Sequence, residues 1–157
     1  MEMTGEYRIP ASREEVWQAL NDAEVLKQCI PGCEELEKLS DTEFTAKVKM
    51  RVGPVSARFA GAVTLEDLNP PISYSIVGEG KGGAAGFAKG GAKVVLDYDE
   101  GVTVLRYDAD ARVGGKLAQI GSRLIAGTAR KLADKFFSAF AETVAPGSTT
   151  ETEADDG

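Results

Sequence analysis

From residue 43 onward, apolar and polar side chains alternate with a period of two, the spacing of strands that bury one face. Phe44, Ala46, Val48, Met50 and Val52 alternate with Thr45, Lys47, Lys49 and Arg51. After a Gly53-Pro54 turn, Val55, Ala57, Phe59, Gly61, Val63 and Leu65 fall on one face of a strand over 55–66. Asn69-Pro70-Pro71 reads as a loop, and Ile72, Tyr74, Ile76 and Gly78 open the next strand. Over 87–98, Ala88, Gly90, Ala92, Val94 and Leu96 oppose Lys89, Lys93 and Asp97. Asp99-Glu100-Gly101 predicts a hairpin turn, after which Leu105, Tyr107, Ala109, Ala111 and Val113 point inward over 102–113.

The two ends of the chain follow other patterns. Residues 3–9 predict a first strand that stops at Pro10. Ser12 and Glu15 form a capping box before a helix over 13–20, carrying Val16, Trp17 and Leu20. Asp22 caps a second short helix, with Val25 and Leu26, that Ile30-Pro31-Gly32 ends. Gly114-Gly115 opens one long helix predicted over 116–144. Leu117, Ile120, Leu124, Thr128, Leu132, Phe136 and Phe140 form its apolar stripe, widened by Ile125, Ala129 and Phe137. The polar, acidic stretch 146–157 is expected to be disordered, leaving one domain over 1–145. The order predicts an α+β fold: about six antiparallel strands in a sheet that curls around a C-terminal helix of roughly 40 Å.

The inner faces carry unusually small residues. Ala57, Gly61, Gly78, Ala88, Gly90, Ala92, Ala109 and Ala111 lie on the strands. Ala118, Gly121, Ala126, Gly127 and Ala129 lie on the helix. Close-packed interiors tolerate few voids larger than a water molecule. Either helix and sheet approach very closely, with glycines bending the sheet, or a cavity remains between them. The residues placed to line such a cavity are Phe59, Gly61, Val63, Tyr74, Ile76, Gly78, Phe87, Ala92, Val94, Tyr107, Ala109, Gly121, Leu124, Ile125 and Thr128. An apolar lining with a few hydroxyls suits a lipid-like or aromatic small molecule.

Composition narrows the chemistry. The 157 residues include no histidine, which excludes a Ser-His-Asp triad, a histidine base and a His-ligated zinc. The 18 glycines are about 11% of the chain, against roughly 7% in average proteins. The net charge of −7 disfavours nucleic acid, although Glu151, Glu153, Asp155 and Asp156 supply much of it. Cys29 and Cys33 have no further thiol or imidazole with which to hold a metal, so no metal site is expected. Gly78-Glu79-Gly80-Lys81-Gly82-Gly83 fits G-x-G-x-x-G, but a strand follows it where dinucleotide binding needs a helix. A mobile lid over the cavity mouth is the expected role of that stretch. Lys47, Lys49, Arg51 and Arg58 on the sheet, with Arg123 and Arg130 on the helix, are candidate contacts for an acidic partner or an anionic membrane. No secretory leader and no run of about 18 apolar residues occurs, so the expectation is a soluble, cytoplasmic domain.

Four segments together resemble a known family. MEMTGEYRIPASREEVWQALND, CIPGCEELEKL, GEGKGGAAGFAKGGAKVVL and VGGKLAQIGSRLIAGTARKLADKFFSAF closely resemble the carbon monoxide dehydrogenase G-subunit family, of the SRPBCC or START-like superfamily. The likeness covers about residues 1–142. It implies a helix-grip fold, a curved antiparallel sheet around a long C-terminal helix, and a hydrophobic ligand held between the two. It also implies a non-catalytic accessory protein of molybdenum-containing carbon monoxide dehydrogenases and related hydroxylases. Such proteins are associated with recruiting the enzyme to the inner face of the cytoplasmic membrane. The expected ligand is a quinone or lipid, with no other cofactor. Many relatives carry an apolar or amphipathic C-terminal anchor, whereas STTETEADDG is acidic. Peripheral membrane contact is therefore expected through the basic helix or the cavity mouth. The competing expectation is a docking module without a bound ligand.

Overall fold

The computed structural model describes residues 1–146 and the short strand Glu151–Thr152. The remaining residues of the acidic tail, for which disorder is expected, lie outside the described ones. Strand β1 (Glu2–Ile9) leads through Ser12 into α1 (Arg13–Leu20). The capping box is formed: the Glu15 backbone N–H donates to Ser12 Oγ at 3.2 Å, and Ser12 N–H donates to the Glu15 carboxylate at 3.3 Å. Asp22 caps α2 (Ala23–Cys29) by accepting from the N–H groups of Glu24 and Val25. Six strands follow: β2 (Cys33–Ser40), β3 (Glu43–Val52), β4 (Val55–Asn69), β5 (Ser73–Lys81), β6 (Phe87–Asp99) and β7 (Val102–Gly114). The chain ends in α3 (Lys116–Ile120), α4 (Ser122–Val144) and β8 (Glu151–Thr152).

All strands form one antiparallel sheet in the order β2-β3-β4-β5-β6-β7-β1-β8. Glu100 and Gly101 both take positive φ in the β6–β7 turn, matching the twist of a two-residue hairpin. Inner and outer faces follow the alternation of the sequence. On β4, Ala57, Phe59, Gly61 and Val63 are half-buried, while Ser56, Arg58, Ala60 and Ala62 are exposed.

Two elements depart from the sequence pattern. Strand β2 falls in a stretch, EELEKLS, that carries no strand signal. Leu36 is its one inward apolar side chain along the central run, the strand lies at the sheet edge, and its pairing with β3 slips at both ends. Burial therefore imposes almost no alternation on it. The expected single helix over 116–144 is broken at Gly121, whose φ of +101° and ψ of 143° lie in a region essentially reserved for glycine. That one residue lets the five-residue α3 take its own direction before α4 starts.

The buried side chains form two clusters. The larger joins Tyr7, Ile9, Val16, Leu20, Phe44, Leu65, Tyr74, Leu96, Leu105 and Phe140, from β1, α1, the sheet and the C-terminal half of α4. The smaller joins Val52, Leu117 and Ile125, with Phe59, Val113 and Ile120 packed against it, at the α3 end. The small inward residues Ala46, Gly61, Ala92 and Ala109 lie between them along the strands.

Candidate functional site

Between the inner face of the sheet and α4 lies a cavity of about 520 Å³. This volume is within the roughly 300–1,000 Å³ of small-molecule sites. Its wall is almost wholly aliphatic and aromatic. The sheet contributes Gly61, Val63, Tyr74, Ile76, Ala92, Val94, Tyr107 and Ala109, all of them predicted from the alternation. The space exists because side chains there stop at Cα or Cβ: Ala46 pairs with Gly61, and Ala92 with Ala109. On the α4 side, Ala133, Phe136 and Phe137 face the space.

Seven residues expected in the lining lie elsewhere. Ile125 and Phe59 pack in the smaller cluster, with Val52 and Leu117. Leu124 is 47% exposed and Phe87 42% exposed, the latter lying over Gly114. Thr128 donates to the Leu124 carbonyl at 3.0 Å, and Gly121 occupies the helix break. Gly78 has Val63 beside it and borders a depression on the outer face of the sheet. The common physical reason is the position of α4 along the sheet. Its N-terminal half is held by the smaller cluster, so the half that faces the void is the C-terminal one, through Ala133, Phe136 and Phe137. The glycine-rich connection after β5 belongs to the other end too. Gly82 sits against the Phe59 ring, and none of residues 82–86 lines the cavity, so a lid over its mouth is not what this segment forms.

The sequence pattern does not reach the remaining wall. Leu20, Leu26, Ile30 and Leu36 close one end from α1, the α2 exit and β2. The helical spacing of Leu20 and Leu26 marks them as apolar, but nothing in the sequence says that α1 and α2 cross the mouth of the sheet. Phe44, Ala46 and Val48 belong to the same alternating row as the predicted lining and are legible as such.

Three tyrosines give the cavity region its polarity. Tyr7 donates from its hydroxyl to Asp134 Oδ1 at 2.8 Å and stacks on Phe137 at 4.2 Å. Its phenol is pushed far above the usual value by burial, reinforced by the Asp134 carboxylate. Tyr107 lies across Gly5, its cross-strand partner, because a Cβ on Gly5 would occupy the position of the Tyr107 ring. Burial raises its pKa as well, against an opposing hydrogen bond with Tyr7. Tyr74 is 5% exposed, meets Trp17 edge-on at 5.2 Å, and is raised by burial alone.

These shifts have a definite sign. A phenol whose folded pKa lies above the unfolded value of about 10 contributes stability that is complete below pH ~10. That contribution is lost as pH rises further, because the unfolded chain then releases protons that the folded chain holds. The urea midpoint is therefore expected to fall above pH ~10, with the phenolate ultraviolet absorbance rising in step with loss of the circular dichroism signal. Smooth ionisation of all tyrosines with the fold intact would contradict the burial described.

The basic residues do not make one surface. Lys47, Lys49, Arg51 and Arg58 lie on the outer face of the sheet, whereas α4, with Arg123 and Arg130 exposed, packs on the inner side. Two of the four sheet cations are matched by acids of β2: Lys47 pairs with Glu35 at 3.2 Å and Arg58 with Glu34 at 3.0 Å. A depression of about 790 Å³ on the outer face is larger than the cavity, but it is lined by exposed Lys89, Lys93, Asp108 and Arg112 and encloses nothing. Cys29 is buried beside Thr143 and Cys33 is half-buried; both are free thiols whose pKa burial raises. Among the described residues no helix is long and apolar enough to cross a membrane.

The architecture recurs in solved structures. A conserved protein from Geobacillus kaustophilus is 29% identical, with a TM-score of 0.87 over 96% of this chain and 99% of that one. A protein from Thermus thermophilus superposes with a TM-score of 0.70 at 16% identity, covering 95% of this chain and all of that one. The Zhui aromatase/cyclase from a Streptomyces species superposes at 0.63 with 12% identity, covering 95% and 99%, which shows a shared fold. No curated protein sequence matches. The family model for the carbon monoxide dehydrogenase G-subunit, CoxG, matches residues 5–145. With that match spanning nearly every described residue, the chain belongs to the CoxG family of carbon monoxide dehydrogenase subunits.

Proposed function

We propose that this protein is a ligand-carrying accessory subunit, without catalysis of its own, of a molybdenum carbon monoxide dehydrogenase-type enzyme. The cavity holds an isoprenoid quinone or a similar lipid, and the protein helps to couple the enzyme to the inner face of the cytoplasmic membrane. The cavity carries this reading: about 520 Å³ of space walled by aliphatic and aromatic side chains is stable when an apolar molecule fills it. Family membership supports the partner.

Gentle purification followed by native mass spectrometry tests the carrier. The expected result is a non-covalent adduct whose mass, after solvent extraction, matches a quinone or another lipid. A protein that arrives empty and takes up neither on titration would overturn the reading.

A further inference from the structure

Tyr74 is a buried polar side chain of the cavity wall that the fold leaves without a partner among the described residues. Its ring is almost completely buried in β5 and is positioned by Trp17. Among the described residues its hydroxyl has no hydrogen-bond partner, and burial acts on it unopposed. Yet its oxygen is not sealed in by protein, because every enclosed side-chain nitrogen or oxygen among the described residues has a partner. Tyr74 lines the cavity, which is the open space that its side chain borders.

The other buried hydroxyls are treated differently. Tyr7 donates to Asp134, and Thr103 donates to the Ala11 carbonyl at 2.7 Å. A phenol that leaves water without gaining a partner is disfavoured. A single water is a poor substitute, since a buried water needs two to four polar contacts and the surrounding wall is hydrocarbon.

We infer that the Tyr74 hydroxyl selects the ligand by donating a hydrogen bond to it. The molecule that fits has an apolar body and an accepting oxygen, such as a ketone or quinone carbonyl, placed against the phenol. A hydrocarbon of the same shape fills the space but leaves the hydroxyl unpaired, and so is discriminated against. This inference deepens the ligand-carrier reading above and rests on it.

The test uses 1-tetralone and tetralin, two rings of nearly the same shape with and without one carbonyl. Both are titrated into the unaltered protein and Tyr74→Phe, followed by amide NMR shifts of the cavity residues. Comparing each probe across the two proteins removes the difference in hydrophobicity between the probes. Tyr74→Phe is expected to weaken 1-tetralone about tenfold and to leave tetralin unchanged or tighter. The empty variant is expected to melt no lower than the unaltered protein, because the hydroxyl it loses had no partner. If the substitution weakens both probes equally, or neither, the hydroxyl does not meet the carbonyl and the inference fails, while the cavity reading survives. A lower melting temperature would reveal a structural partner for the hydroxyl and overturn the inference. Binding of neither probe to the unaltered protein removes the cavity as a small-molecule site, and this inference with it.

Discussion

Ala92→Trp is expected to weaken ligand binding about 100-fold while leaving the protein folded. Ala92 lies on β6 between Ile76 on β5 and Ala109 on β7, and its methyl group borders the cavity. In a filled core, so large an insertion costs about 1–3 kcal/mol or more, because neighbouring side chains leave their rotamers. The cavity receives the indole instead, and the apolar surface it buries contributes roughly 25 cal/mol per Å² toward stability. The ligand loses that volume. At roughly 0.3 kcal/mol per ligand atom, displacing about nine atoms costs about 2.7 kcal/mol, or ~100-fold in affinity. Native mass spectrometry of the purified variant reads the loss, and thermal unfolding reads the stability. A variant that unfolds would show that the space is already filled. One that folds and still carries its adduct would place the ligand elsewhere.

Phe140→Ala is expected to destabilise the protein by about 3–5 kcal/mol, a large part of the roughly 5–15 kcal/mol available to a domain. Phe140 is completely buried on α4, stacked with Phe136 at 5.7 Å and edge-on to Phe137 at 6.3 Å. These rings join the helix to the larger cluster, so truncation leaves a hole where α4, β1 and α2 meet. Urea unfolding measures the change. Leu124→Ala, on the half-exposed N-terminal part of the same helix, is the internal comparison and is expected to cost below about 1 kcal/mol. Equal losses at the two sites would mean that α4 is not held chiefly through its C-terminal half.

The contrast between those two helix positions also explains what could be read from the chain. Alternation is a local property, and it assigns the inner row of β3 through β7 from Phe44 to Val113, except at Ile72, which is 40% exposed and precedes β5 in the turn after the prolines. Capping is local too, and Ser12 with Glu15 identifies the start of α1. The existence of spare volume follows from the summed smallness of Gly61, Ala92 and Ala109. How far α4 slides along the sheet is not local. Leu124, Ile125 and Thr128 share a stripe with Phe136 and Phe140, so periodicity gives them equal claim to the cavity. The smaller cluster around Ile125 decides between them. Strand β2 escapes for a related reason: at an edge with a single inward leucine, hydrogen bonding to β3 defines the strand and hydrophobicity does not. In the sequence, Gly121 is one small residue among several on the helix; its backbone angles, invisible in a composition, make it a joint.

The position of β1 in the sheet bears on how the molecule assembles. Strands β2 to β7 are each hydrogen-bonded to the next along the chain, so they can zip as successive hairpins with short loops to close. Strand β1 instead sits between β7 and β8, with Glu2 opposite Asp110 and Ile9 opposite Thr103 on β7, about a hundred residues away. Its ladder cannot form until the whole meander exists. During synthesis, the first strand and the Tyr7 side chain wait for the last hairpin to emerge, and the ligand space is completed only when they dock. High sequence separation of this kind places the protein among the slow folders of its size.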